Sequence, residues 1–192
     1  MNIQSAVYLK SLVPGASLPE RNLPVFAFIG RSNAGKSSFI NTITNQKNLA
    51  RSGSTPGVTQ KVNLFMVNKK CYFADLPGYG YAKLSRHERK ALEEIIFWYL
   101  SHTEIKFQQI FLLIDSRVGP TDSDVEMIDF LNHHHLPLII IATKIDKLKS
   151  SERSAQLKKI TTSIPGHQII PFSSHNGEGK KEVLELMTLA NA

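Results

Sequence analysis

Two hydrophobic rhythms alternate along the chain. Short unbroken apolar runs, VFAFI (25–29), IFLLI within QQIFLLID (108–115) and LIIIA within LPLIIIAT (136–143), have the length and composition of strands buried on both faces. Between them the apolar positions recur every three or four residues, as in one-sided helices: Phe39, Ile40 and Ile43 in GKSSFINTIT, then Leu92, Ile95, Ile96 and Tyr99. Further helices are predicted near 123–132 and 151–163, with a last one carrying Val183, Leu186, Met187 and Ala190 on one face. KVNLFMV (61–67) and KCYFAD (70–75), separated by Asn68 and Lys69, read as a hairpin, and HQIIPFS (167–173) as a final strand. The pattern predicts a three-layer α/β fold: a mixed, mainly parallel six-stranded sheet with one antiparallel hairpin strand and helices on both faces. Residues 1–192 are expected to form a single domain, with 1–23 as a lead-in segment. Ligands of such sheets bind at the carboxyl ends of the strands, so the residues there matter most.

Directly after the first buried strand stands GRSNAGKS, Gly30–Ser37, which fits GxxxxGKS and opens a helix. Gly30, Arg31, Ser32, Asn33, Ala34 and Gly35 would wrap a phosphate chain with backbone N–H groups; Ser38 continues into the helix. Lys36 would reach the outer phosphates, and the Ser37 hydroxyl suits Mg2+, a hard ion that prefers oxygen. Kinases and ATPases use the same loop, so the base must be read elsewhere. TKID, Thr143, Lys144, Ile145 and Asp146, closes a later strand. A carboxylate there accepts two hydrogen bonds from N1–H and the 2-amino group of guanine, a donor pair that adenine lacks. Lys144 could lay its alkyl stem over the base.

The stretch DLPGYGYAK (75–83) supplies Asp75, Leu76, Pro77 and Gly78 after an apolar run, as in a phosphate-sensing segment, yet Tyr79 follows where a water-positioning glutamine is common.

Composition adds partners and excludes others. With 42% apolar residues the chain can bury an ordinary core, and its apolar runs are far too short to span a bilayer, which leads to the expectation of a cytoplasmic protein. One cysteine, Cys71, rules out an internal disulfide and reads as a small buried strand residue. The histidine run 133–135 sits at a helix end, where the helix dipole favours it, rather than forming a metal site. The net charge of +7 favours a polyanionic partner such as RNA. Lys83, Arg86, His87, Arg89 and Lys90 concentrate that charge just after DLPGYG; Glu93 and Glu94 follow, so a solvated face with Arg89–Glu93 and Lys90–Glu94 pairs is the alternative.

Taken in order, GRSNAGKSS, TPGVTQ, DLPGYGYAK, TKID and FSS resemble the EngB (YsxC) family of bacterial ribosome-assembly GTPases, members of the Ras-like P-loop class, over essentially the whole chain. The resemblance implies bound GTP or GDP with Mg2+. It implies that Thr59 completes the metal shell beside Ser37, with Thr55 as the other threonine nearby, while Gly57, Val58, Thr59, Gln60 and Lys61 close over the nucleotide. Asp75 would act through a metal-bound water, Gly78 through its N–H to the terminal phosphate, and Ser173, Ser174 and His175 would meet guanine O6 mainly through backbone. Related GTPases with a nonpolar or aromatic residue at the Tyr79 position recruit K+ through a loop asparagine, here Asn33, so that Lys36, Thr59, Gly78 and Asn33 would carry hydrolysis. The implied function is a slow, partner-stimulated GTP hydrolase, monomeric, serving as a switch in large ribosomal subunit (rRNA) assembly and needed for normal cell division and septation. A division-site adaptor without ribosome binding and a P-loop kinase are the alternatives.

Overall fold

The computed structural model describes residues 1–17, 23–50, 61–81 and 84–189. Seven strands form one sheet: β1 (Ala6–Leu12), β2 (Val25–Gly30), β3 (Val62–Val67), β4 (Cys71–Asp75), β5 (Phe107–Asp115), β6 (Leu138–Thr143) and β7 (Ile169–Pro171), in the spatial order β1-β3-β4-β2-β5-β6-β7. β3 runs antiparallel to both of its neighbours, and every other pairing is parallel. Among the described residues five helices cover the sheet: α1 (Lys36–Thr44), α2 (Arg86–Leu100), α3 (Asp122–His133), α4 (Ser150–Ser163) and α5 (Lys180–Leu189), with a 3-10 turn at Ile145–Lys147.

The three-layer expectation holds, with one correction. The sheet has seven strands rather than six, because the lead-in contributes β1, which pairs antiparallel with β3 from Ala6↔Val67 to Leu12↔Val62. Only Ala6 and Leu12 of β1 are buried, whereas Val7, Tyr8 and Leu9 are exposed. The two-residue alternation that would mark a strand is therefore missing from AVYLKSL; backbone pairing to the β3 edge makes the strand instead. The β3–β4 hairpin follows the sequence closely. Asn68 and Lys69 both adopt left-handed φ values of 51° and 56°, the turn whose twist matches paired strands, and the Lys70 N–H closes it on the Val67 carbonyl.

Strand alternation sorts the core into two layers. Val25, Ala27 and Ile29 of β2 face the α2–α3–α4 side, together with Ile96, Tyr99, Leu131 and Ile160. Phe26 and Phe28 face the α1–α5 side with Phe39, Ile40, Ile43, Val183 and Met187. Phe28 stacks on Phe111 at 5.7 Å and meets Phe73 edge-on at 5.1 Å, a rigid aromatic layer beneath the loop that β2 delivers. Cys71 is buried in that layer, and burial pushes its thiol up to about 12, so it stays protonated. Among the described residues no helix is long and apolar enough to cross a membrane. Ala190, expected on the last helical face, lies outside the described residues.

Candidate nucleotide-binding site

Residues 30–37 link the buried end of β2 to the start of α1 and are shaped by contacts rather than by side chains. A Cβ on Gly30 would stand 2.5 Å from the Leu113 carbonyl oxygen, so only glycine lets β2 lie against β5 there. Asn33 and Gly35 take φ values of 67° and 96°, turning successive amides toward the helix mouth. Among the described residues no side chain caps α1 and no acidic residue enters its first turn. The start of a helix carries free N–H groups and partial positive charge, which favour an anion. Ser37 is half-buried in that first turn and Ser38 is exposed.

Lys36 and Asp75, expected to serve phosphate and metal, meet directly: Nζ lies 2.7 Å from Oδ1, and both side chains are largely buried. The two segments also share backbone contacts. The Ser32 N–H donates to the Tyr79 carbonyl at 2.8 Å, and a Cβ on Gly78 would stand 3.1 Å from the Ser32 nitrogen. Leu76 is buried, and its N–H donates to the Phe28 carbonyl of β2, which seats DLPG on the sheet.

Tyr79 turns away from this contact. Its ring is buried in the α2–α3 layer, and its hydroxyl donates to Asp124 Oδ1 at 2.6 Å. Burial first, then the adjacent Asp124 charge, raises the phenol well above its usual range, with Arg31 opposing. The residue at the glutamine position is therefore a neutral donor fixed in the core.

The TKID segment joins this loop from the other side. The Thr143 hydroxyl is 2.6 Å from the Ala34 carbonyl and 3.1 Å from that of Ile114, tying the end of β6 to the phosphate loop. Lys144, at φ 59°, donates to the Asn33 carbonyl at 2.5 Å and to Asp115 Oδ2 at 2.8 Å. It is a strut between loop and sheet. Burial alone would raise the Asp115 carboxyl; hydrogen bonds from Arg117 and Lys144 outweigh it and hold the group at about 2. Ile145 is buried and bonded to the Phe172 carbonyl, which fixes the turn that carries Asp146.

Asp146 is oriented by Ser173. The fully buried Ser173 hydroxyl donates to Asp146 Oδ1 at 2.7 Å while accepting the N–H groups of His175 and Asn176. The bond from Ser173 lowers the Asp146 carboxyl below its usual range and keeps it an acceptor. Ser174 and His175 expose their side chains, and the His175 N–H joins the segment to Ser173.

Gly57, Val58, Thr59 and Gln60 lie outside the described residues, as does Lys83 of the basic cluster; Lys61 is exposed just before β3. Of the residues expected to serve a metal, Ser37 and Asp75 are described, and their hydroxyl and carboxylate are hard oxygen donors of the kind that Mg2+ takes. Arg86, His87, Arg89 and Lys90 are exposed on α2; Lys90 and Glu94 stand 4.0 Å apart at high exposure, a pairing too weak to remove the positive face. The sequence pattern did not single out Asp115, Asp124 or the orienting role of Ser173. Of these, Asp115 left a signal: an acid closing the buried run IFLLID at the carboxyl edge of the sheet.

Residues 25–144 match the family described as 50S ribosome-binding GTPase. A probable GTP-binding protein EngB of Prosthecochloris aestuarii is 43% identical over 186 residues, covering 96% of this chain and 96% of that protein. The protein of the same description from Geobacillus sp. is 42% identical over 185 residues, with 95% of each covered. A solved structure of a probable GTP-binding protein EngB superimposes with a TM-score of 0.69 at 25% identity over 86% of this chain and 97% of that one. A variant of Aquifex aeolicus Era bound to GDP and AlF4− superimposes with a TM-score of 0.67 at 23% identity, over 87% of this chain and 56% of that one, which speaks to the fold alone.

Proposed function

Because the chain belongs to the EngB family of P-loop GTPases, we propose that it is a guanine-nucleotide switch that acts on the large ribosomal subunit during assembly. The observation that carries this reading is the junction of phosphate and base loops. Thr143 bonds the Ala34 carbonyl while Ser173 holds an ionised Asp146 in place, so one rigid unit can measure both ends of GTP.

In this reading the N–H groups of residues 32–37 and Lys36 bind the phosphates, and Asp146 accepts the two guanine donors. Ser174 and His175 contribute backbone near O6. Ser37 and Thr59 would hold Mg2+, which would supply charge neutralisation for the phosphates. Phosphate binding would draw Lys36 from Asp75, and the freed Asp75 carboxylate would act on the metal through a water. Gly78 then offers its N–H to the terminal phosphate, so hydrolysis alters DLPG and the basic face of α2 that follows it. That face meets rRNA phosphates, in keeping with the 50S description of the matched family, and the requirement in cell division and septation follows from subunit assembly. The protein works in the cytoplasm as a monomer, and residues 1–192 act as a single GTP-binding domain.

With Tyr79 buried, water must be oriented by other means, and in this reading Asn33 would share a K+ ion that offsets transition-state charge. The expected hydrolysis rate for the protein alone is on the order of 10⁻³ s⁻¹, faster in K+ than in Na+ and raised at least about tenfold by large subunits. Single-turnover assays in the two salts, with and without subunits, measure this. Equal rates in K+ and Na+ would remove the cation from the account, and no acceleration by subunits would remove the stimulating partner.

A further inference from the structure

The peptide that reads the terminal phosphate is clamped between the phosphate loop and α3, and one side chain makes the second half of the clamp. On the loop side, Arg31 and Tyr79 form a parallel backbone bridge, and the Ser32 N–H donates to the Tyr79 carbonyl. Gly80, at φ 66°, leaves room for Arg31, whose Nε would lie 3.0 Å from a Cβ there. On the opposite side, the Tyr79 hydroxyl reaches Asp124, a carboxylate 1% exposed. The other Asp124 oxygen accepts both the N–H (2.9 Å) and the hydroxyl (2.7 Å) of Thr121 at the start of α3. A buried carboxylate with this donor set is rigid, and it transmits that rigidity to whatever donates to it.

We infer that Tyr79, Asp124 and Thr121 form a positioning unit that fixes the Gly78 N–H at the terminal-phosphate position and couples the phosphate state to α3. Tyr79 acts through Gly78 and touches no substrate. The residue that replaces the water-positioning glutamine thus keeps a part in GTP recognition, exercised from inside the core. Here the inference rests on the switch reading above and names the residues that set its sensitivity.

A bond that merely supported the fold would, when lost, weaken both nucleotides alike. A positioning bond acts only on the ligand that carries a terminal phosphate, because Gly78 reads nothing else. Titrating fluorescent GDP and a non-hydrolysable GTP analogue into the wild type and Tyr79→Phe separates the two. The phenylalanine keeps the ring in the core and removes only the donor. The expected result is GDP affinity within about twofold of wild type and a loss of about tenfold or more in affinity for the GTP analogue, the scale of one hydrogen bond to a charged acceptor. In an Asp124→Ala background, Tyr79→Phe should change the ratio no further, since the hydroxyl has lost its acceptor. Equal weakening of GDP and analogue, an unchanged ratio in Tyr79→Phe, or additive effects in the double variant would each overturn the inference while leaving the switch reading intact. Wild-type protein that bound neither nucleotide would overturn both.

Discussion

Asp146→Asn should shift base preference from GTP to xanthosine triphosphate. In the proposed reading the Asp146 carboxylate accepts from N1–H and the 2-amino group of guanine; the Ser173 hydroxyl holds that carboxylate in place. An asparagine keeps one carbonyl for N1–H but turns an amide N–H toward the guanine amino group, setting donor against donor. Xanthine carries a carbonyl at that carbon, which accepts the new amide. Polar sites of this kind discriminate strongly, because the wrong base leaves buried groups unpaired. The expected loss in GTP affinity is about 100-fold, with xanthosine triphosphate gaining a comparable factor. The fold should survive, since the Ser173 hydroxyl can still donate to the asparagine carbonyl. Competition of unlabelled GTP, xanthosine triphosphate and ATP against a fluorescent guanine nucleotide measures the change. GTP affinity that stayed at the wild-type level would contradict the assignment of Asp146 to the base.

Lys36→Ala is expected to abolish tight binding of both GDP and GTP. The Lys36 ammonium stands in the first turn of α1, and each charge-assisted bond that it would give to a phosphate is worth about 1.5–3 kcal/mol. Two such bonds correspond to about a 1,000-fold loss in affinity. The substitution also removes the partner of Asp75, whose side chain is 7% exposed, and an uncompensated carboxylate at that depth lowers stability. Calorimetric titration of GDP and a thermal melt of the nucleotide-free variant measure the two effects separately. Retention of GDP affinity within tenfold of wild type would contradict the role of Lys36, whatever happened to the melting temperature.

The readable parts of the chain were those where one local rule governs. VFAFI, IFLLI and LIIIA announced buried parallel strands, and the spacing of Leu92, Ile95, Ile96 and Tyr99 announced α2, because burial alone dictates those patterns. The hairpin turn at Asn68 and Lys69 was legible for the same reason: two left-handed residues are needed and asparagine tolerates them. β1 was not legible. Its burial is confined to Ala6 and Leu12, and what holds it is the unpaired backbone of β3, a tertiary fact with no periodic trace.

The proposed site divides in the same way. GRSNAGKS, DLPG and TKID declared themselves by residue type at fixed spacing, and the fold brings Lys36 to Asp75 and Thr143 to Ala34. The supporting contacts are separated by long stretches of chain: Tyr79 to Asp124, Lys144 to Asp115, Asp146 to Ser173. Each side chain in such a pair has an ordinary local reading, as a helix cap, a solvated lysine or a small buried polar residue. The tertiary fold makes partners of them: β6 lies between β5 and β7, so Lys144 meets Asp115 on one side and Asp146 meets Ser173 on the other. Tyr79 illustrates the consequence: its sequence position marked an absent catalytic group, and its burial turns it into a fixed donor.

The most direct measurement of the central claim is sedimentation of the protein with purified large ribosomal subunits in the presence of GDP or a non-hydrolysable GTP analogue. A switch read by the subunit predicts co-sedimentation that is at least about tenfold stronger with the analogue, the range of a typical coupling free energy, and that weakens steeply as salt is raised. Equal binding with the two nucleotides, or no binding with either, would contradict it.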